Sequence, residues 1–145
     1  MVRPTYPGHI GRVGNACTEV VESVHRLSIR GLSLNEDGHR QALDELRASR
    51  AKLDPAADLR LYVEACHGMA IHAVAAGFLR RHGLDHDQHQ GMVATLRGRG
   101  HLDAAASLAE VERLRAGRWY GRQGDGGLAH ALDDLVRRLE AWSLA

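Results

Sequence analysis

From Leu59 to Leu79 the apolar residues Leu59, Val63, Cys66, Met69, Ala70, Ala73, Phe78 and Leu79 leave almost no polar face. That pattern predicts a helix over 55–82, buried on most sides at the centre of a bundle and ended by Gly83. Before it, Val20, Val24 and Leu27 recur at helical spacing behind Asn15, predicting a helix to about Gly31. Ser33-Leu34-Asn35-Glu36 has capping-box spacing and is expected to open a second helix through Leu43, Leu46 and Leu53, closed by Pro55. After Gly83, His89, Met92, Val93 and Leu96 mark a short helix capped by Asp85 or Asp87. A fifth is expected over 102–119, with Leu108, Val111 and Leu114 inward. The last repeats Leu128, Leu132, Leu135, Leu139 and Trp142 at intervals of four and three.

No stretch alternates as a strand would, so the expected fold is all-α: an antiparallel four-helix-core bundle with extra short helices. Pro4, Pro7, Gly8, Gly11 and Gly14 make residues 1–14 a flexible N-terminal tail, leaving 15–145 as a single helical-bundle domain. Along the central helix Ala65, Gly68, His72 and Ala76 form a stripe of mostly small residues. Such a stripe admits a close neighbour, either from the same chain or from a second subunit.

Composition narrows the function. At 145 residues with a formal net charge of +1, the chain is one domain without the bulk field of a general polyanion binder, so any nucleic-acid contact must come from a local patch. Cys17 and Cys66 stand far apart and form no C-x-x-C pair, which argues against a disulfide scaffold or a cysteine zinc site. No apolar run is long enough for a signal peptide or a membrane span, and a cytoplasmic location is expected.

The densest local chemistry is E-R-L-R-A-G-R-W-Y-G-R. On a continuing helix Arg115, Arg118 and Arg122 share a face, where guanidinium forks can hold phosphate oxygens while Trp119 or Tyr120 stacks on a base. A solvated helix end, its arginines complementing the macrodipole, is the competing reading. His82, Asp85, His86, Asp87 and His89 are dense enough for a metal site. Gly83 interrupts the shared face that ligation needs, so loop capping is the better account, and neither metal nor cofactor is expected. His67 and His72 are read as hydrogen-bonded core histidines, with Arg60 and Glu64 at helical spacing from His67.

Taken together, the small-residue helix 60–82, the segment G-L-D-H-D-Q-H-Q-G-M-V-A-T-L and R115-A-G-R-W-Y120-G resemble the HEPN (higher eukaryote and prokaryote nucleotide-binding) family over roughly residues 40 to 142. The resemblance implies a four- or five-helix antiparallel bundle that pairs as a dimer. Many such proteins are metal-independent endoribonucleases of toxin–antitoxin or defence systems, often beside a nucleotidyltransferase. The family's ribonuclease motif is an arginine, usually followed by a polar residue, with a histidine four to six residues on. Here Arg115 matches the arginine, Ala116 replaces the polar residue and Tyr120 occupies the histidine position. A tyrosine with a pKa of about 10 holds a phosphate or stacks on a base but is a poor general base. Arg60 and His67 also have an R-x(6)-H spacing, in the segment corresponding to the family's buried helix.

The expectation is therefore a dimeric nucleotide- or RNA-binding helical protein, a degenerate or weak ribonuclease, with Arg115 and Tyr120 at the motif and Arg118, Trp119 and Arg122 on the ligand. A nucleotidyltransferase-type protein is the expected partner. Two alternatives stay open: an active endoribonuclease whose base is His130 or a histidine of the other subunit, and a structural or partner-docking dimer that binds no nucleic acid.

Overall fold

The long apolar segment forms the axis of the molecule. The computed structural model describes residues 18, 19, 21–23, 34–86, 89–117 and 127–145, and every regular element among them is helical. Residues 18, 19 and 21–23, within the span expected for the first helix, are helical, and the expected tail lies outside the described residues. Five longer elements follow: α1 (Glu36–Arg50), α2 (Leu59–His82), α3 (Met92–Gly98), α4 (Leu102–Gly117) and α5 (Gly127–Leu144). Every residue of α2 from Met69 to Phe78 is buried. No helix among the described residues is long and apolar enough to cross a membrane.

α2 packs chiefly on α1 and α5 and more lightly on α4, which in turn packs on α5 and α3. Cross-contacts fix the directions. His39 meets His72 and Arg50 lies over Tyr62, so α1 runs opposite to α2. Glu64 meets Arg115 and His82 meets His101, so α4 does the same. Tyr62 meets Asp133 and Phe78 meets Trp142, so α5 runs along α2. The small-residue stripe is taken within the chain: a Cβ at Gly68 would stand 2.9 Å from Leu46 of α1, and His72 meets His39 of the same helix. Gly77 has a comparable reason. Glycine inside a helix is less favourable than alanine by about 1 kcal/mol, but a Cβ here would drive into the Trp142 ring, 2.9 Å from its Cη2.

Three helix starts differ from expectation. Asn35, not Ser33, caps α1, its side chain accepting from the Gly38 N–H at 2.8 Å. Asparagine is among the strongest N-caps, worth about 1 kcal/mol. Glu36 accordingly becomes the first helical residue and pairs with Arg40 at 2.7 Å instead of reaching back. Asp54 Oδ1 accepts from the Ala56 and Ala57 N–H groups and Asp58 Oδ2 from the Asp54 N–H. That closed turn delays α2 to Leu59. Gly91, at φ 85°, rather than Asp85 or Asp87, precedes α3.

A polar knot ties α1, α2 and α5 together. Asp133 accepts from the Tyr62 hydroxyl at 2.7 and 2.9 Å and from Arg50 Nη1 at 2.9 Å. Arg50 also reaches the Cys66 sulfur at 3.6 Å. Burial pushes the Cys66 thiol up to about 11, the guanidinium of Arg50 opposing, so it is a packed group and not a nucleophile.

The α1–α2 interface holds a second polar contact, in which His39 Nδ1 and His72 Nδ1 stand 2.9 Å apart, both rings buried. Two imidazoles can meet this way only if one N–H points at the other's lone pair. Burial lowers the pKa of His39, against the pull of Asp85. The unfolded chain therefore binds a proton there more readily than the folded one. Stability should hold above the ordinary histidine pKa of about 6.5 and fall as pH drops below it, by up to about 1.4 kcal/mol per unit for each such proton. Urea unfolding at pH 7.5, 6.5 and 5.5 reads this. His89 and His101, also held low, add to the slope, so a shallower slope in His39→Gln isolates the α1–α2 pair, and an equal slope would count against it.

Candidate functional site at the Arg115 cleft

α2 presents Glu64 and His67, and α4 presents Glu112 and Arg115, at i and i+3 in each case. Residues three apart share a helix face, and the antiparallel packing turns the two faces toward each other. The cleft of about 390 Å³ between them is closed by His89, Gln90, Gly91 and Val93. How His89 arrives there depends on the end of α2. Gly83 adopts φ 60°, its N–H bonds the Leu79 carbonyl at 2.9 Å, and the Leu84 N–H bonds that of Phe78 at 3.3 Å. This reversal sends the chain back along α2. His86 stacks on Phe78 at 5.5 Å, its Nε2 3.2 Å from Thr95 Oγ1, and His89 reaches His67 edge-on with ring centroids 6.2 Å apart.

The charges interlock. His67 Nε2 lies 2.9 Å from Glu112 Oε1, and Arg115 Nε donates to Glu64 Oε2 at 3.2 Å and Oε1 at 3.4 Å. His67 is largely enclosed, with 9% of its side chain exposed, whereas Arg115 and Glu112 keep 37% and 40%. A ligand would therefore meet the guanidinium and the carboxylate first. The hydrogen bond from His67 lowers the Glu112 pKa, aided by the charges of His67, Arg115 and His89 and opposed by burial. Burial lowers that of His89, and the positive charges of His67, Arg115 and His86 add to it against Glu112. A neutral imidazole thus faces a carboxylate-bound one beside an arginine. This arrangement can accept a proton at His89 and hold an oxyanion at the Arg115 guanidinium.

Of the residues singled out in the sequence, Arg115 lies in this cleft; Arg118, Trp119, Tyr120 and Arg122 lie outside the described residues. His130 is exposed on the first turn of α5. His67 is buried and hydrogen-bonded as expected of a core histidine, but its partner is Glu112 of α4, because Glu64 is turned to Arg115. His82, His86 and His89 disperse to His101, Thr95 and His67 respectively. Among the described residues no three His, Cys, Asp or Glu side chains gather as a metal set. What sequence reading missed is the convergence of His67 and His89 on Arg115; Arg60, at R-x(6)-H spacing from His67, is exposed and does not line the cleft. Compared with protein-family models, with curated proteins and with solved structures, the chain matches none.

Proposed function

We propose that the Arg115 cleft binds a phosphate of RNA or of a nucleotide, and that the chain is a HEPN-like helical protein acting as a homodimer in a toxin–antitoxin or defence setting, with a nucleotidyltransferase-type partner. The observation that carries the proposal is that Arg115, which the sequence alone singles out, lines one cleft with two histidines from distant parts of the chain. The setting and the partner rest on the family resemblance. Binding of a labelled single-stranded ten-nucleotide RNA at 50 and 200 mM salt is the test. Affinity should fall steeply with salt, and Arg115→Ala should weaken it about ten-fold, the effect of one charged hydrogen bond. Undiminished binding by Arg115→Ala would overturn the assignment.

Weak metal-independent cleavage is a second reading, favoured by the His67–Glu112 pair opposite His89. In that chemistry the RNA 2′-oxygen gives its proton to His89 and bonds to phosphorus. The P–O5′ bond breaks, and the departing oxygen takes a proton from the His67–Glu112 pair, leaving a 2′,3′-cyclic phosphate and a 5′-hydroxyl. Cleavage in excess EDTA that is lost in His89→Gln supports this reading; binding without cleavage leaves the degenerate ribonuclease.

A further inference from the structure

The far end of α2 carries a second group of cations. Its last turn holds Arg80, Arg81 and His82, and Gly100, at φ 81°, turns the chain between Arg99 and His101 just ahead of α4. His82 Nε2 and His101 Nε2 come within 2.8 Å, with ring centroids 5.1 Å apart. Both rings are partly exposed. α5 supplies the floor: His101 lies edge-on to Trp142 at 5.1 Å, and Arg81 covers the same indole at 5.2 Å. Arg81 Nε and Nη2 donate to the Trp142 carbonyl at 3.3 and 2.7 Å, which fixes the orientation of the guanidinium.

The charge balance here differs from that of the Arg115 cleft. Desolvation and then the positive charges of His82, Arg81 and Arg99 hold the His101 pKa below its ordinary value, and no carboxylate among the described residues acts on it in return. Acids also stand on the surrounding elements. Glu36 of α1 lies 2.7 Å from Arg40 and 3.7 Å from Arg80. Asp85, past the end of α2, acts on His39, and Asp103 in the first turn of α4 lines a groove with Glu110, Arg138 and the outer side of Trp142. Two imidazoles at this separation share one proton, and a second would set N–H against N–H beside two guanidiniums. An oxyanion removes that conflict by accepting from both rings at once.

We propose that His82 and His101, flanked by Arg81 and Arg99, form a phosphate-binding site whose occupation takes up a proton. Affinity then rises as pH falls, because the anion favours the doubly protonated pair. The inference does not rest on the reading of the Arg115 cleft. His101 and Arg115 lie at opposite ends of α4, about 20 Å apart by helical rise.

The test uses sulfate as the phosphate mimic, since its charge is constant between pH 5.5 and 7.5. Trp119→Phe leaves Trp142 as the one tryptophan, and its emission reports on the His101 ring beside it. The expected result is saturable binding at least about ten-fold tighter at pH 5.5 than at 7.5, weakened about five-fold or more by His101→Gln and by Arg99→Ala and unchanged by Arg115→Ala. No saturable binding at pH 5.5, equal affinity at both pH values, or indifference to both His101→Gln and Arg99→Ala would overturn the proposal. Ribose 5-phosphate and a single-stranded oligoribonucleotide then separate the natural sources. If His101→Gln weakens the oligonucleotide, the site takes a nucleic-acid backbone; if it weakens only the monoester, the site takes a small phosphate.

Discussion

Phe78→Ala should lower the unfolding free energy by about 3–5 kcal/mol, the range for emptying a buried aromatic position. Phe78 is fully buried and heads the set of large enclosed side chains. Its ring meets His86 face to face at 5.5 Å and Trp142 edge to face at 5.9 Å, so one residue joins α2, the returning segment and α5. Against a typical domain stability of 5–15 kcal/mol, such a loss is a large share of the whole. Urea unfolding measures it, with Phe78→Leu as a milder partner that retains much of the apolar volume. A cost below about 1 kcal/mol would mean that this contact is not close-packed. The consequence reaches the Arg115 cleft, because His86 rests on Phe78 and His89 follows it three residues on. Loosening that segment should weaken RNA binding even in the fraction that stays folded.

Asp133→Ala should cost about 2–3 kcal/mol. The carboxylate accepts from the Tyr62 hydroxyl and from Arg50, and deleting it strands a buried phenol and a guanidinium only 19% exposed. Removing one partner of a fully buried pair costs about 3–5 kcal/mol; Asp133 itself is 31% exposed, and water offsets part of the loss. Asp133→Asn, which can still accept from Tyr62, should cost less than the alanine. Thiol chemistry offers an independent readout. Arg50 favours the Cys66 thiolate while Asp133 opposes it, so Asp133→Ala should speed Cys66 modification under native conditions. Unchanged stability together with unchanged thiol reactivity would show that the knot does not hold α1, α2 and α5 together.

The helical character was legible because it is periodic. The apolar positions of α2 and the four-and-three spacing on α5 follow from local sequence: Val63, Cys66, Met69, Ala70, Ala73, Phe78, Leu132 and Leu139 are buried, and Leu59, Leu128, Leu135 and Trp142 pack against them partly buried. Helix starts were less legible, since Asn35 and Ser33 both qualify as caps and tertiary packing chooses between them. Pairings of histidines lay beyond sequence reasoning altogether. His39 and His72 are 33 residues apart, and His82 and His101 are 19. Nothing in local spacing announces such a contact. Arg115 could be found because arginines and aromatics crowd around it; His67 was visible only as a core histidine, since Glu112 lies 45 residues away. The run His82, His86 and His89 was legible for the converse reason: Gly83 marks the break in the sequence itself, and the three neighbours face different partners once the chain reverses there.

The most direct measurement follows the imidazole resonances of His67 and His89 by NMR while a single-stranded oligoribonucleotide is titrated in at low salt. The account predicts that both move with one saturation curve, that the buried His39 and His72 stay fixed, and that Arg115→Ala suppresses the shifts. Saturable RNA binding that leaves His67 and His89 unmoved would contradict it.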